Sequence, residues 1–165
     1  PEARRRIVKM GIELLERNTD MVGTDYVAGG ETAGIPYAAW IAAGTDKPML
    51  YVRKKPKGFG RDARIEGSLE KGKKVLLVED LATDGGSKIN FVEALATAGG
   101  EISDIFVVFF YGAFPNALDV LTEAGVTLHY LCTWADVLKV AEDGDYTYRA
   151  LLCFYCTSTL VFVCI

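Results

Sequence analysis

Runs of consecutive apolar residues alternate along this chain with longer stretches in which apolar and polar positions recur at helical spacing. The runs predict strands at Tyr26–Ala28, Met49–Val52, Val75–Val78, Ile105–Tyr111 and Val126–Leu131. The helical spacing predicts helices over residues 2–17, 32–43, 88–98, 116–124 and 134–141. Such alternation is typical of an α/β fold in which helices flank a mainly parallel central sheet of about five strands. We interpret residues 1–149 as one domain of this kind.

Two segments rich in small and polar residues, Gly29–Gly34 and Glu79–Ser87, each directly follow a predicted strand. Because parallel strands end at the same edge of a sheet, and ligands bind beyond that edge, we expect both segments to line a binding site. The chain has no GxxxxGK[ST] sequence, which excludes a P-loop ATPase. Gly29–Gly34 lacks the GxGxxG spacing, which argues against a dinucleotide-binding fold.

The most informative segment is Glu79–Ser87, in which an apolar strand leads into two acids and then into a loop of small residues that opens a helix. Backbone N–H groups at such a helix start favour a bound phosphate, and the hydroxyls of Thr83 and Ser87 add donors. Ser87 is also a suitable helix cap. The carboxylates of Glu79 and Asp80 can accept hydrogen bonds from sugar hydroxyls or hold a metal through water. The combination predicts a phosphosugar site; the alternative is an ordinary strand–turn–helix with solvated acids.

The net charge of −4 argues against a basic face for duplex nucleic acid, but it hides a strong local imbalance. Residues 53–74 contain nine basic and three acidic residues, a balance of +6, whereas the rest of the chain has a balance of −10. Residues 54–64 are rich in glycine and cations, which predicts a long exposed loop. A basic island in an acidic protein indicates a local site for an anion.

Four segments together resemble the orotate phosphoribosyltransferase family, a branch of the type I phosphoribosyltransferases. One is Glu79–Ser87, and the others are YVAGGETAGIP at 26–36, YVRKKPKG at 51–58 and IEG at 65–67. The similarity runs from about Pro1 to Glu142. The order and spacing of the four segments are more specific than any one of them, and they imply the type I fold.

The resemblance implies transfer of the phosphoribosyl group of 5-phosphoribosyl 1-diphosphate to orotate, with Mg²⁺, giving orotidine 5′-phosphate and diphosphate in pyrimidine synthesis. It implies that Glu79 and Asp80 meet the ribose hydroxyls. The loop expected to hold the 5′-phosphate consists of Leu81, Ala82, Thr83, Asp84, Gly85, Gly86 and Ser87.

The resemblance also places the diphosphate near Thr32 and Ala33 and beside the cations Arg53, Lys54 and Lys57. Lys57 and Asp80 are the candidate catalytic residues. Mg²⁺ is expected near the acidic pair without a direct protein ligand, held mainly by the diphosphate and ribose. In the family, the loop that carries Lys57 is mobile and reaches into the active site of the partner subunit of a homodimer.

Three features depart from the family pattern. Phe59 stands where the family often carries a His, and residues 111–114 contain no Arg of the kind that the family can use to hold orotate. The family normally has several tens of residues before the position that matches Pro1, and we expect these to help cover the base and form the dimer. Two alternatives therefore stay open: a phosphoribosyltransferase for another nucleobase, and a non-catalytic module that senses phosphoribosyl diphosphate.

The remaining features set the context. Half of the residues are apolar and 24% are charged, which excludes collagen-like, disordered and disulfide-scaffold classes. No secretory signal is visible, so we expect a reducing cytoplasmic setting with free thiols. The uncharged tail 150–165 is shorter than the ~20 residues of a membrane span, and we interpret it as foreign sequence or, second, as an apolar interface strand. His129 lies in an apolar strand and is interpreted as a packed or surface residue rather than a catalytic one.

Overall fold

The predicted strands and helices occur in the predicted order along the chain, with one further strand. The computed structural model describes residues 1–56 and 64–144. Within these ranges the strands are β1 Tyr26–Gly30, β2 Met49–Val52, β3 Ile65–Glu66, β4 Val75–Ala82, β5 Asp104–Phe110 and β6 Thr127–Thr133. The helices are α1 Glu2–Asn18, α2 Gly34–Gly44, α3 Gly86–Thr97, α4 Ala117–Glu123 and α5 Trp134–Asp143.

The strands form a single sheet in the order β3-β2-β1-β4-β5-β6. Every neighbouring pair is parallel except β2 and β3, which are antiparallel. The chain adds β2 on one side of β1 and then returns to add β4 on the other side. Such a reversal leaves a crevice at the carboxyl ends of the two strands, where ligands of open α/β sheets bind.

Both faces of the sheet are covered, as expected for parallel strands. Alternate residues of β4 point to opposite faces, so Leu77 and Leu76 belong to different cores. One core contains Phe91 of α3 and Leu121 of α4. The other contains Leu15 of α1 and Ile41 and Ala38 of α2. The close packing of the two cores keeps the strands in place, and with them the carboxyl edge of the sheet.

The structure differs from the sequence prediction in three places. The sheet has a further edge strand, β3, which is only two residues long and has no apolar run to signal it. β4 continues past Val78 to Ala82, because Glu79, Leu81 and Ala82 pair with β5 beyond the last residue that pairs with β1. The predicted cap at Ser87 is wrong: α3 begins at Gly86, and Gly85 occupies the cap position with φ +85°.

Among the described residues, every helix is too short or too polar to cross a membrane. Lys57 and Phe59 lie outside the described residues, as does the tail 150–165 with Cys153, Cys156 and Cys164. The interpretations of these residues, and the division of the chain into a domain and a tail, stay predictions.

Candidate functional site

The two segments that the sequence analysis assigned to a binding site, Gly29–Gly34 and Glu79–Ser87, meet at the carboxyl ends of β1 and β4. β1 leads into the turn 31–33 before α2, and β4 leads into the loop 83–85 before α3. The strands are direct neighbours, since Gly29 pairs with Val78. The prediction that both segments lie at one edge of the sheet is therefore confirmed, and they flank the reversal point of the strand order.

Glu79 and Lys88 form a buried ion pair at this edge. The Lys88 Nζ donates a hydrogen bond of 2.6 Å to Glu79 Oε2 and one of 3.2 Å to Ser87 Oγ. Glu79 is 5% exposed and Lys88 is 4% exposed. Burial raises the pKa of Glu79, and the charge of Lys88 acts against that rise. The sequence prediction did not include Lys88. Its only signal in the sequence is that it is a cation in the first turn of a predicted helix, nine residues after Glu79.

Glycines make room for the Glu79 carboxylate. A Cβ added at Gly30 would come within 2.2 Å of Glu79 Oε1, and one added at Gly34 would come within 2.4 Å. Gly34 is the first residue of α2, where the positive end of the helix dipole favours a carboxylate. Oε1 is buried and has no hydrogen-bond partner among the described residues. The acid is thus enclosed between Lys88 on one side and the β1–α2 junction on the other.

Asp80 differs from its neighbour in exposure. It is half-buried, whereas Glu79 is buried, because successive residues of a strand point to opposite faces. The sequence gives no reason to distinguish the two acids, but in this structure Asp80 is the more exposed of the two. A ligand arriving at the edge would meet Asp80 first.

The loop between β4 and α3 is folded around Asp84. Its Oδ1 accepts hydrogen bonds from the Gly86 N–H at 3.1 Å and from the Thr83 hydroxyl at 3.3 Å. Asp84 therefore occupies one of the N–H groups that the sequence prediction reserved for phosphate. Leu81 and Ala82 lie in β4 rather than in the loop. The exposed loop is consequently shorter than predicted, and one of its members is an acid.

Glu31 fastens the β1–α2 turn to the basic segment after β2. Its carboxylate accepts hydrogen bonds from the Lys54 backbone N–H at 2.8 Å and from the Tyr51 hydroxyl at 3.2 Å. The bond from Lys54 is the main reason that the pKa of Glu31 is lowered. Arg53 is held in turn by Glu66, with 2.9 Å between Nε and Oε1. The structure thus brings Thr32 and the cations to one place by contacts that the spacing did not predict.

A cavity of about 430 Å³ lies between this turn and the basic segment. Its lining residues are Glu31, Thr32, Arg53, Lys54, Lys55 and Pro56. Three of the six are cations, which matches the expected site for an anion. A second cavity, of about 450 Å³, is lined only by residues of α1 and α2, mostly through apolar surface around Trp40. None of the residues at the carboxyl ends of the strands lines that second cavity.

The basic island of the sequence is divided in the structure. Lys73 pairs with Asp25 and Lys74 pairs with Asp20, each at 3.1 Å, just before β4 begins. These two lysines therefore lie at the opposite end of β4 from the acids. Only the Arg53–Lys55 part of the described island faces the cavity.

His129 lies near the start of β6, away from the carboxyl edge of the sheet. Its Nε2 is 2.7 Å from Asp104 Oδ1. Asp104 is the first residue of β5, and the His129 side chain is 11% exposed. The interpretation of His129 as a packed residue agrees with this position.

Comparison with known proteins connects this geometry to a family. No protein-family model matches the chain. The orotate phosphoribosyltransferase of Cereibacter sphaeroides is 51% identical over 145 residues, which are 88% of this chain and 62% of that protein. The crystal structure of orotate phosphoribosyltransferase from Aeropyrum pernix matches with a TM-score of 0.74 at 30% identity, over 84% of this chain and 75% of that one. The Mycobacterium tuberculosis enzyme in complex with 5-phospho-α-D-ribosyl 1-diphosphate matches with a TM-score of 0.63 at 27% identity, over 79% of this chain and 72% of that one.

The sheet order and the strand-end site place the protein in the type I phosphoribosyltransferase class. Within that class, the chain belongs to the orotate phosphoribosyltransferase family. The resemblance drawn from the four sequence segments is confirmed. The chain spans about three fifths of the length of the curated relatives it matches.

Proposed function

We propose that the protein transfers the phosphoribosyl group of 5-phosphoribosyl 1-diphosphate to orotate, forming orotidine 5′-phosphate and diphosphate for pyrimidine synthesis. The observation that carries this proposal is the convergence of an acidic strand end, a helix start and a cation-lined cavity at the β1–β4 crevice. The names of the relatives support orotate as the base. We also propose that the protein works in the cytoplasm as a homodimer.

Asp80 is the proposed first contact of the ribose hydroxyls, with Glu79 behind it. A carboxylate accepts hydrogen bonds from vicinal hydroxyls and thereby fixes the sugar ring. When the bond between C1 and the diphosphate oxygen breaks, positive charge develops on the ring. A carboxylate that is already in place stabilises that charge without reorganising at the moment of reaction.

The start of α3 is the proposed site of the 5′-phosphate. The first N–H groups of the helix point toward the loop, and the helix dipole favours an anion there. The hydroxyl of Ser87 is an additional donor, and that of Thr83 would become one on turning from Asp84 to the phosphate. The acid at Asp84 acts against this site through its charge, while its hydrogen bond to Gly86 keeps the loop folded.

The cation-lined cavity is the proposed site of the diphosphate. Thr32 lines the cavity on the side of the β1–α2 turn, and Arg53 and Lys54 line it on the other side. Ala33, the next residue of the turn, would approach the diphosphate with Thr32. Lys57 is the proposed catalytic cation by the family pattern. Cations on the leaving oxygens stabilise the charge that builds up as the diphosphate departs.

Mg²⁺ fits this donor set through the substrate rather than through the protein. The described residues contain no group of three or more His, Cys, Asp or Glu that could hold a metal ion. Mg²⁺ is usually bound by one or two carboxylates together with substrate phosphates and water. The diphosphate and ribose would hold the ion near Glu79 and Asp80, without a direct bond to either carboxylate. The ion would neutralise part of the charge on the leaving group.

A spectrophotometric assay of orotate consumption with phosphoribosyl diphosphate and Mg²⁺ tests the proposal. We expect orotate to be consumed and diphosphate to be released in equal amounts. Turnover of another base but not orotate would reassign the substrate. Tight binding of phosphoribosyl diphosphate without turnover of any base would show a sensor instead of an enzyme.

A further inference from the structure

Lys88 has no role in the mechanism proposed above, yet its environment is unusual. Among the described residues, Glu79 and Lys88 are the only charged side chains that are buried. Removing a lysine from water is costly, and a chain tolerates it only where the charge is paired with good geometry. The geometry here is good, because Nζ lies 2.6 Å from Glu79 Oε2 and 3.2 Å from Ser87 Oγ.

The two contacts of Lys88 lie on different elements. Glu79 belongs to β4, at the acidic strand end, and Ser87 belongs to the first turn of α3. Lys88 therefore connects the element that carries the acids to the element that starts at the proposed phosphate site. Glu79 Oε1 has no hydrogen-bond partner among the described residues. The hydrogen bond from Lys88 to Oε2 therefore fixes the position of this carboxylate.

We infer that Lys88 is a positioning residue that clamps the acidic end of β4 to the start of α3 and so fixes the distance between the ribose site and the 5′-phosphate site. This inference rests on the proposed function, since it assigns the two ends of the clamp to two parts of one ligand. A ligand that spans both parts, such as ribose 5-phosphate, depends on that distance. A ligand confined to the cation-lined cavity, such as diphosphate, does not.

Isothermal titration of three ligands against Lys88→Gln separates these cases. We expect the affinity for phosphoribosyl diphosphate and for ribose 5-phosphate to fall about tenfold or more, because the ribose and 5′-phosphate sites are no longer held at the distance that these ligands span. The affinity for diphosphate should stay within about twofold. Lys88→Arg keeps a cation in place and should recover most of the lost affinity.

Two controls complete the experiment. Lys139→Gln makes the same chemical change at an exposed position of α5 and should leave all three affinities unchanged. Leu15→Ala removes a buried side chain from the other core, and shows what loss of stability alone does to binding.

Three results would overturn the inference. One is wild-type affinity of Lys88→Gln for the two ribose ligands, and another is an equal loss for diphosphate, as a merely structural role predicts. The third is wild-type protein that binds no phosphoribosyl diphosphate, which would remove the proposed function as well. The first two results leave the proposed function standing, so the two failures are distinguishable.

Discussion

Glu79 and Asp80 are adjacent in the chain but occupy different environments. Glu79 is buried against Lys88 and two glycines, whereas Asp80 is half-buried at the open edge of the sheet. The pleat of β4 causes this difference, because neighbouring side chains point to opposite faces. At the residue scale, the acidic pair is thus one proposed ligand contact, Asp80, and one buried acid, Glu79, held by Lys88.

Asp80→Asn should remove most of the affinity for phosphoribosyl diphosphate. The amide is nearly the same size but has lost the charge and one acceptor oxygen, so we expect a loss of about tenfold to a hundredfold. Titration calorimetry with Mg²⁺ measures it. Asp119→Asn, on the exposed surface of α4, is the matched control. Wild-type affinity of Asp80→Asn would show that the acidic pair is wrongly assigned.

Asp84→Asn should have the opposite effect. The Asn side-chain oxygen can still accept the Gly86 N–H, so the loop stays folded, but the negative charge beside the proposed phosphate site is gone. We expect phosphoribosyl diphosphate to bind about twofold to fivefold more tightly at low ionic strength, with the gain shrinking as salt is added. Weaker binding would mean that the carboxylate itself serves the ligand.

At the element scale, side-chain hydrogen bonds add to the backbone hydrogen bonds that join the segments around the site. Glu31 connects the β1–α2 turn to the segment after β2 through Lys54 and Tyr51. Lys88 connects β4 to α3. The Glu31 connection bridges residues 20 and 23 positions apart in the sequence, whereas the Lys88 connection joins two consecutive elements, and both involve a charged side chain.

The Glu31 connection should give stability a characteristic pH dependence. Its folded-state pKa lies below the ordinary 4.5, mainly because of the Lys54 N–H, so the unfolded chain takes up the proton more readily. The stabilisation is therefore present in full above about pH 4.5 and is lost as the pH falls through the folded-state pKa. In urea unfolding between pH 3 and pH 7, wild type should exceed Glu31→Gln by an amount that disappears at the acid end.

Glu16→Gln is the control for that measurement, because Glu16 is exposed on α1. We expect its difference from wild type to stay small over the whole range. A Glu31→Gln difference that does not change with pH would show that the contacts of Glu31 do not depend on its charge.

At the scale of the whole molecule, the buried pair stands between the sheet and one of its covering layers. Lys88→Met should lower the free energy of unfolding by about 3–5 kcal/mol, because a buried carboxylate is left without its counter-charge. The double variant Lys88→Met/Glu79→Leu should recover most of that loss, since an apolar pair needs no compensation. Urea unfolding at pH 7 measures both. Additive losses in the double variant would contradict the pairing.

The sequence by itself determined the class of fold and the main chemistry. Apolar runs at Val75–Val78 and Ile105–Tyr111 are long enough to mark buried parallel strands, and the helices between them complete the pattern. Gly29–Gly34 and Glu79–Ser87 were recognisable because each follows a strand, which puts both at one edge. The family resemblance rested on the same local residues. These features are local, so a linear pattern carries them.

Only the tertiary structure decided how the charged residues are used. Lys88 lies nine residues from Glu79, and Glu31 lies 23 residues from Lys54, so no short motif links either pair. Lys73 and Lys74 belong to the same basic island of the sequence as Arg53. In the structure they precede β4 whereas Arg53 follows β2, so they lie at opposite edges of the sheet. Which charged side chains form ion pairs depends on their distance in space and on their burial, and both are set only when the helices pack on the sheet. The sequence supplied the acids and the cations, and the packing decided which acid is buried and which cation holds it.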